Sequence, residues 1–262
     1  MFDKDSIGGT LGVALGVCLV CSVLVSAAAV SLRPAQSTNR ALDKKRNILR
    51  AAGLLEPGRS IDELYAQIQP RLVDLDSGEY VSGADAQAYD QRAASRDPEQ
   101  SRPLSPAEDL ASIKRRARRA PVYLVVQQDQ VRKVVLPING LGLWSQLYGF
   151  VALDAGDLTT VRGLVFYEHA ETPGLGGEVD NPHWLALWQG KKGFGEGGEV
   201  RLQVIKGKVH AGRPGAEFQV DGLSGATLTS RGVTNMLRFW LGQNGFGSYL
   251  ARLREQGVQH HG

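Results

Sequence analysis

The sequence predicts an α+β protein: one N-terminal transmembrane helix, a helical connector, and a C-terminal domain whose antiparallel-rich sheet carries packed helices. Three observations predict it. Ile7 to Leu32 is an uncharged run of 26 residues, Asn39 to Leu55 has helical spacing of apolar residues, and β-branched and aromatic runs follow one another from Pro121. The chain therefore divides into a short tail at 1–6, the membrane helix at 7–32, a helical and polar connector at 33–120 and the sheet domain at 121–262.

As a helix the uncharged run is about 39 Å long at ~1.5 Å per residue, against a hydrocarbon core of ~30 Å, so it crosses once with some tilt. Ala27-Ala28-Ala29 has the small residues a signal peptidase accepts. The leading MFDKDS is net acidic, however, and the run exceeds the ~7 to 15 residues of a signal-peptide core, so a retained anchor is expected. Lys4 alone precedes the span, whereas Arg33, Arg40, Lys44, Lys45, Arg46 and Arg50 follow it. By charge bias alone the large C-terminal part belongs in the cytoplasm. Cys18 and Cys21 are the only cysteines and share one face of the span. Two thiolates make half a tetrahedral metal site, and packing is the simpler reading.

The connector begins with the Asn39–Leu55 helix, with Leu42, Ile48, Leu49 and Leu55 to one side, stopping at Glu56-Pro57-Gly58. Ile61 to Leu72 reads as a second helix with Asp62 and Glu63 in its first turn, and Gly83 to Ser105 as an exposed polar excursion. The run Lys114-Arg115-Arg116-Ala117-Arg118-Arg119 has no interleaved aromatics and reads as a solvated helix face, with no nucleic acid implied. PVYLVVQ, RKVVLPI, YGFVALD and VRGLVFYEH are successive strands, and VRLQVIKGK from Val200 is another. Asn181 caps a helix with Pro182 at its first position. Val233, Leu237, Trp240 and Leu241 mark the apolar face of a helix that begins near Thr229.

Three glycine-rich stretches stand out. In VDGLSGATLTS the small Gly225 and Ala226 separate Ser224 from Thr227, and the helix start beyond them directs unpaired amides and a positive dipole end outward. That arrangement suits a phosphate, although a capped helix after a turn has the same pattern. It is neither a P-loop nor a dinucleotide fingerprint. EHAETPGLGGEVD, after a strand, brings Glu171, Thr172, Gly174 and Leu175, while NGLGLW brings Leu143 and Trp144. Together they fit a flat ring packed on apolar side chains with a phosphate at a helix start. Trp144 suits a core position equally well. His169 suits a structural role at a strand end or a bond to that ligand, and Asp221 suits orientation of the turn or assistance to a modifying enzyme's metal.

INGLGLWSQLYGF, HAETPGLGGEVDNPHW and VDGLSGATLTSRGV, with the N-terminal run and LDKKRNIL, resemble the C subunit of the bacterial Na+-translocating NADH:quinone oxidoreductase over nearly the whole chain. The resemblance implies FMN held covalently, its phosphate esterified by a separate flavin transferase to the threonine of an [ST]GAT motif, here Thr227. Ser224, Gly225 and Ala226 are then expected beside the phosphate, and Leu143, Trp144, Glu171, Thr172, Gly174 and Leu175 around the flavin. It implies an electron relay from NADH to ubiquinone coupled to Na+ export, within a six-subunit assembly of the inner membrane. The chain would contact lipid through its one span and carry the C-terminal domain on the periplasmic side, against the charge bias. Rival readings are the G-type FMN subunit of an ion-motive ferredoxin:NAD+ reductase and a membrane-anchored binding module without redox chemistry.

Overall fold

The computed structural model describes residues 7–257, so the tail expected at 1–6 lies outside the described residues. The chain divides into two compact units after Lys45. The first consists of α1 (Ile7–Ala52) up to that point. Its apolar stretch reaches a mean hydropathy of 2.6 over 18 residues with every side chain outside any core, so α1 is long and apolar enough to cross a membrane. Cys18 and Cys21 are exposed on it. The helix runs through Pro34, whose carbonyl oxygen accepts bonds from the Ser37 and Thr38 hydroxyls, so the two helices expected at 7–32 and 39–55 are one. It stops at Ala52, short of Leu55. Gly53 takes φ +66°, Leu54 N–H reaches back to Leu49 O (2.9 Å), and Lys133 Nζ donates to Ala52 O.

The second unit holds the sheet. After α2 (Ile61–Tyr65), capped by Ser60, the chain turns into β1 (Ile68–Asp74). The helix expected over Ile61–Leu72 is thus cut short. Pro70 cannot sit in a helix interior but is tolerated in a strand at a sheet edge. The polar excursion is also structured: Asp90 caps α3 (Gln91–Arg96), and β2 (Ser101–Pro103) pairs antiparallel with β3 (Arg115–Ala117). The basic run is a strand rather than a solvated helix face. Arg116 is buried, ion-paired with Asp76 and donating to Asn244 O (2.9 Å). Of the residues expected to be connector, 33–120, those from Arg46 onward lie in the same compact unit as the sheet.

Strands β4 (Arg119–Gln127), β5 (Gln130–Leu141), β6 (Gln146–Asp154) and β7 (Val161–Glu168) form an antiparallel meander, and β1 adds beside β4 to give the order β1-β4-β5-β6-β7. These strands read as continuous hydrophobic runs because both faces are covered. Val122, Leu124, Val134, Leu136, Val151, Leu153 and Leu164 face the main core, while Tyr123, Val125, Val135, Phe150, Ala152 and Val165 pack on Ile48, Leu49, Leu64 and Tyr65 of α1 and α2.

Asn181 accepts from His183 N (2.9 Å) and caps α4 (Pro182–Ala186), as expected. The long strand expected from Val200 reduces to β8 (Gln203–Val204), which pairs in parallel with β9 (Gln219–Val220). Next come α5 (Thr227–Leu241) and α6 (Gly247–Gln256). Val233, Leu237, Trp240 and Leu241 are all buried in the main core. Helix α5 lies directly on β5: a Cβ at Gly232 would strike the Leu141 carbonyl, and one at Gly140 would come within 2.9 Å of Met236 Cβ. Two missing side chains thus set the approach of helix to strand, and Trp240 Nε1 fastens it to Asn139 O (2.7 Å).

Candidate functional site

The three glycine-rich stretches meet at one end of the sheet. Residues 142–145 form the turn between β5 and β6, closed by Gly142 N–H to Ser145 O (2.8 Å). Residues 169–175 follow β7, and residues 221–226 lead from β9 into α5.

Glu171 joins them. Its carboxylate is buried and accepts from the backbone N–H groups of Leu143 (3.1 Å), Trp144 (3.0 Å) and Ser145 (3.1 Å), from Ser145 Oγ (3.2 Å) and from Thr229 Oγ1 (2.7 Å). A Cβ at Gly142 would lie 2.6 Å from Glu171 Oε1, and one at Gly176 would lie 2.7 Å from Thr229 Oγ1. Glycine is needed at both places to make room for the carboxylate and its partners. Burial by itself would raise the Glu171 pKa. The bonds from Thr229, Trp144, Leu143 and Ser145 outweigh it and hold the carboxyl below its ordinary value, so it is ionised at neutral pH.

Around this clasp the other predicted residues are disposed differently. Trp144 is 71% exposed, which excludes a core role for its ring, and Leu143 and Leu175 are also exposed. Leu175 Cδ2 would be 2.8 Å from a Cβ at Gly225, which has φ +69°, so the second and third loops touch where only glycine fits. Thr172 and Gly174 are exposed, and the Thr172 carbonyl accepts from Leu175 N–H and Gly177 N–H. Neither makes a hydrogen bond to Thr227 among the described residues. Ser224 is exposed and Ala226 buried.

Helix α5 starts at Thr227 itself, two residues before the expected start, with Thr227 and Leu228 exposed. The N-cap position is Ala226, which has no side-chain cap to offer, so the first amides of α5 remain available. The turn before the helix is held from inside instead, by Leu223 N–H on Ser230 Oγ (3.1 Å).

His169 and Asp221 each make bonds within the loops. His169 Nδ1 accepts from Glu171 N–H and its Nε2 meets Asp180 Oδ2, both at 3.3 Å. Asp221 Oδ1 accepts from Val209 N–H (2.8 Å), and its carbonyl accepts from Trp184 Nε1 (2.8 Å). Sequence reasoning missed Ser145 and Thr229. Both are ordinary hydroxyls whose role depends on a carboxylate 26 and 58 residues away. An open cleft lined by Gln127, Arg132, Lys133, Asp154 and Arg162 lies at the opposite ends of β5 and β6, away from all three loops. Among the described residues there is no group of His, Cys, Asp and Glu able to hold a metal ion.

Residues 142–242, which contain all three loops, match the FMN-binding domain family. The C subunit of the Na(+)-translocating NADH-quinone reductase of Pseudomonas aeruginosa is 53% identical, covering 97% of this chain and 99% of that protein. The corresponding C subunit from Vibrio alginolyticus is 51% identical and covers 97% of each. The crystal structure of Shewanella oneidensis NqrC superposes with a TM-score of 0.77 at 37% identity, covering 83% of this chain and 99% of that one. These relatives all bear the C-subunit name, which favours the quinone reductase over the G-type ferredoxin:NAD+ reductase reading. With such identity over almost the full length of both partners, the chain belongs to the C-subunit family of the Na(+)-translocating NADH-quinone reductase.

Proposed function

We propose that the chain is the electron-carrying C subunit of a Na+-translocating NADH:quinone reductase and relays electrons through FMN esterified to Thr227. The observation that carries this is the position of Thr227: an exposed hydroxyl on the first residue of α5, at the junction of three loops that all lie within the FMN-binding family match. The residues fit the group. The uncapped amides and the dipole of a 15-residue helix suit the phosphate, with Ser224, Gly225 and Ala226 leaving room beside it. Exposed Trp144, Leu143 and Leu175 offer apolar surface for the ring, and Thr172 and Gly174 border it. Glu171 holds these loops in register through its bonds to the 143–145 turn and to Thr229. FMN, when bound, supplies reversible redox chemistry at its isoalloxazine ring, which a phosphate tether leaves unsubstituted.

In the transfer from a flavin dinucleotide, Thr227 Oγ forms the bond to the flavin phosphorus, the pyrophosphate P–O bond breaks, and the nucleoside monophosphate leaves with the hydroxyl proton, so the chain gains the mass of FMN less water. A separate flavin transferase makes the ester. In this reading α1 anchors the chain in the inner membrane through its apolar stretch, the C-terminal domain is periplasmic, and the remaining members of a six-subunit assembly handle NADH and quinone. Intact mass and peptide mapping of the full chain from a flavin-loading host test it. The Thr227 peptide should carry the mass of FMN less water, and Thr227→Ala should abolish the addition. An unmodified Thr227 in an assembled, active complex refutes the proposal.

A further inference from the structure

The chain between β8 and β9 carries a run of exposed cations and is pinned to the turn that leads into Thr227. Val204 N–H donates to Thr234 Oγ1 (3.0 Å), and Arg238 Nη2 donates to Gln203 Oε1 (3.1 Å). Passing from Gln203 to Val204 therefore moves from Arg238 back to Thr234, so β8 runs antiparallel to α5, toward its first turn. The segment that continues from β8 emerges at that end. It is pinned there by Gly222 N–H on Gly207 O (2.8 Å), by Val209 N–H on Asp221 Oδ1, and by the close approach of Gly222 to the Ile205 carbonyl. Lys206, Lys208, His210 and Arg213 are exposed along it. Arg231 is also exposed and stands one helical turn beyond Thr227 on the α5 stripe that includes Thr234 and Arg238. None of these five side chains has a hydrogen bond or ion pair among the described residues. The carboxylates nearest in sequence are Glu217, exposed on the return to β9, and Glu199, which faces Arg201, while Asp221 is engaged by Val209 N–H.

Surface cations are ordinarily interspersed with partners, as Arg59, Arg92 and Arg252 are here. A cluster of unpaired cations concentrates potential on one side of Thr227. That side is distinct from the apolar one. Gly232 lies against Leu141 and Gly142, so the neighbouring stripe of α5, with Leu228, faces the Leu143–Trp144 turn. An electron partner has to reach the ring on the apolar side, whereas a protein delivering a flavin phosphate has to reach the Thr227 hydroxyl.

We infer that Lys206, Lys208, His210, Arg213 and Arg231 form the docking surface for an acidic face of the protein that loads the flavin onto Thr227. This rests on the flavin reading above. Complementary charge raises the encounter rate of such a transient pair and makes it salt-sensitive.

The test uses the full-length apo chain in detergent with purified flavin transferase and its flavin dinucleotide substrate, following the mass of the Thr227 peptide over time from about 20 to about 300 mM NaCl. Lys206→Glu, Lys208→Glu and Arg213→Glu are combined, and Arg231→Glu is made separately. All four positions are exposed, and melting temperatures check that folding is unchanged. Wild-type loading should slow with salt. The triple variant should load about tenfold more slowly at low salt and lose most of the salt dependence, with Arg231→Glu shifted the same way. Wild-type rate and salt dependence in both variants would overturn the proposal. So would normal loading combined with lost electron transfer in the assembled complex, or with lost binding to phosphatidylglycerol vesicles, which would assign the surface to a redox partner or to lipid. If the wild-type chain never gains flavin at Thr227, it is the flavin reading that fails.

Discussion

Replacing Glu171 by Gln is the most direct test of how the site is held. The substitution keeps the shape but turns one carboxylate oxygen into an NH2 group and removes the charge. Four of the five donors converge on Oε1: the N–H groups of Leu143, Trp144 and Ser145, and Ser145 Oγ. The amide oxygen of Gln fits there, leaving its NH2 toward Thr229, whose hydroxyl can turn to accept. Leu143 N–H keeps its bond to that oxygen but loses the one to Oε2, so most of the pattern is preserved while charge assistance is lost. Hydrogen bonds to a charged group contribute ~1.5–3 kcal/mol against ~0.5–1.5 for neutral ones, and an amide costs less to bury than a carboxylate, so the net loss should be about 2–4 kcal/mol. Denaturant unfolding of the full chain in detergent measures it. The folded-state pKa is depressed, so the stabilising contribution is fully present above the ordinary carboxylate value of ~4.3 and is lost as pH falls through the folded value. The difference between wild type and Glu171→Gln should therefore shrink in acid. A difference under about 0.5 kcal/mol at neutral pH, or one independent of pH down to acid unfolding, would refute the clasp.

Trp144→Ala should leave unfolding within about 0.5 kcal/mol of wild type because the ring is exposed, yet shift the visible absorption of the loaded flavin; an unchanged spectrum would remove Trp144 from the ring site. Gly232→Ala drives a methyl into the Leu141 carbonyl and should destabilise by about 1–3 kcal/mol, displacing α5 and slowing flavin loading at Thr227; near-neutral stability would mean that the helix does not lie so close to β5.

The parts of this protein legible in its sequence are those set by local pattern. The 26 uncharged residues specify an apolar span by composition alone, and the meander strands follow from β-branched runs broken at turns. Asn181-Pro182 marks a helix start through its own chemistry, and the periodicity of Val233, Leu237 and Trp240 gives the buried face of α5. The glycine stretches stand out as small residues among hydroxyls before a helix start, but a capped helix after a turn has the same pattern, and only the resemblance to the C-subunit family singles out Thr227.

Only the tertiary structure decided which of those residues face solvent and which hold the others. Ile68–Asp74 became a strand because a partner, β4, offered it a sheet edge. Arg116 left the surface because Asp76 and Asn244 compensate its burial. Glu171, expected at the ligand, turned inward because five donors from two distant segments converge on it. Trp144 stayed outside because its turn projects beyond the core. Helical and strand periodicities are properties of neighbouring residues and survive in the sequence. The position of a buried charge depends on donors that lie near it only after the chain has folded, and no local pattern records them.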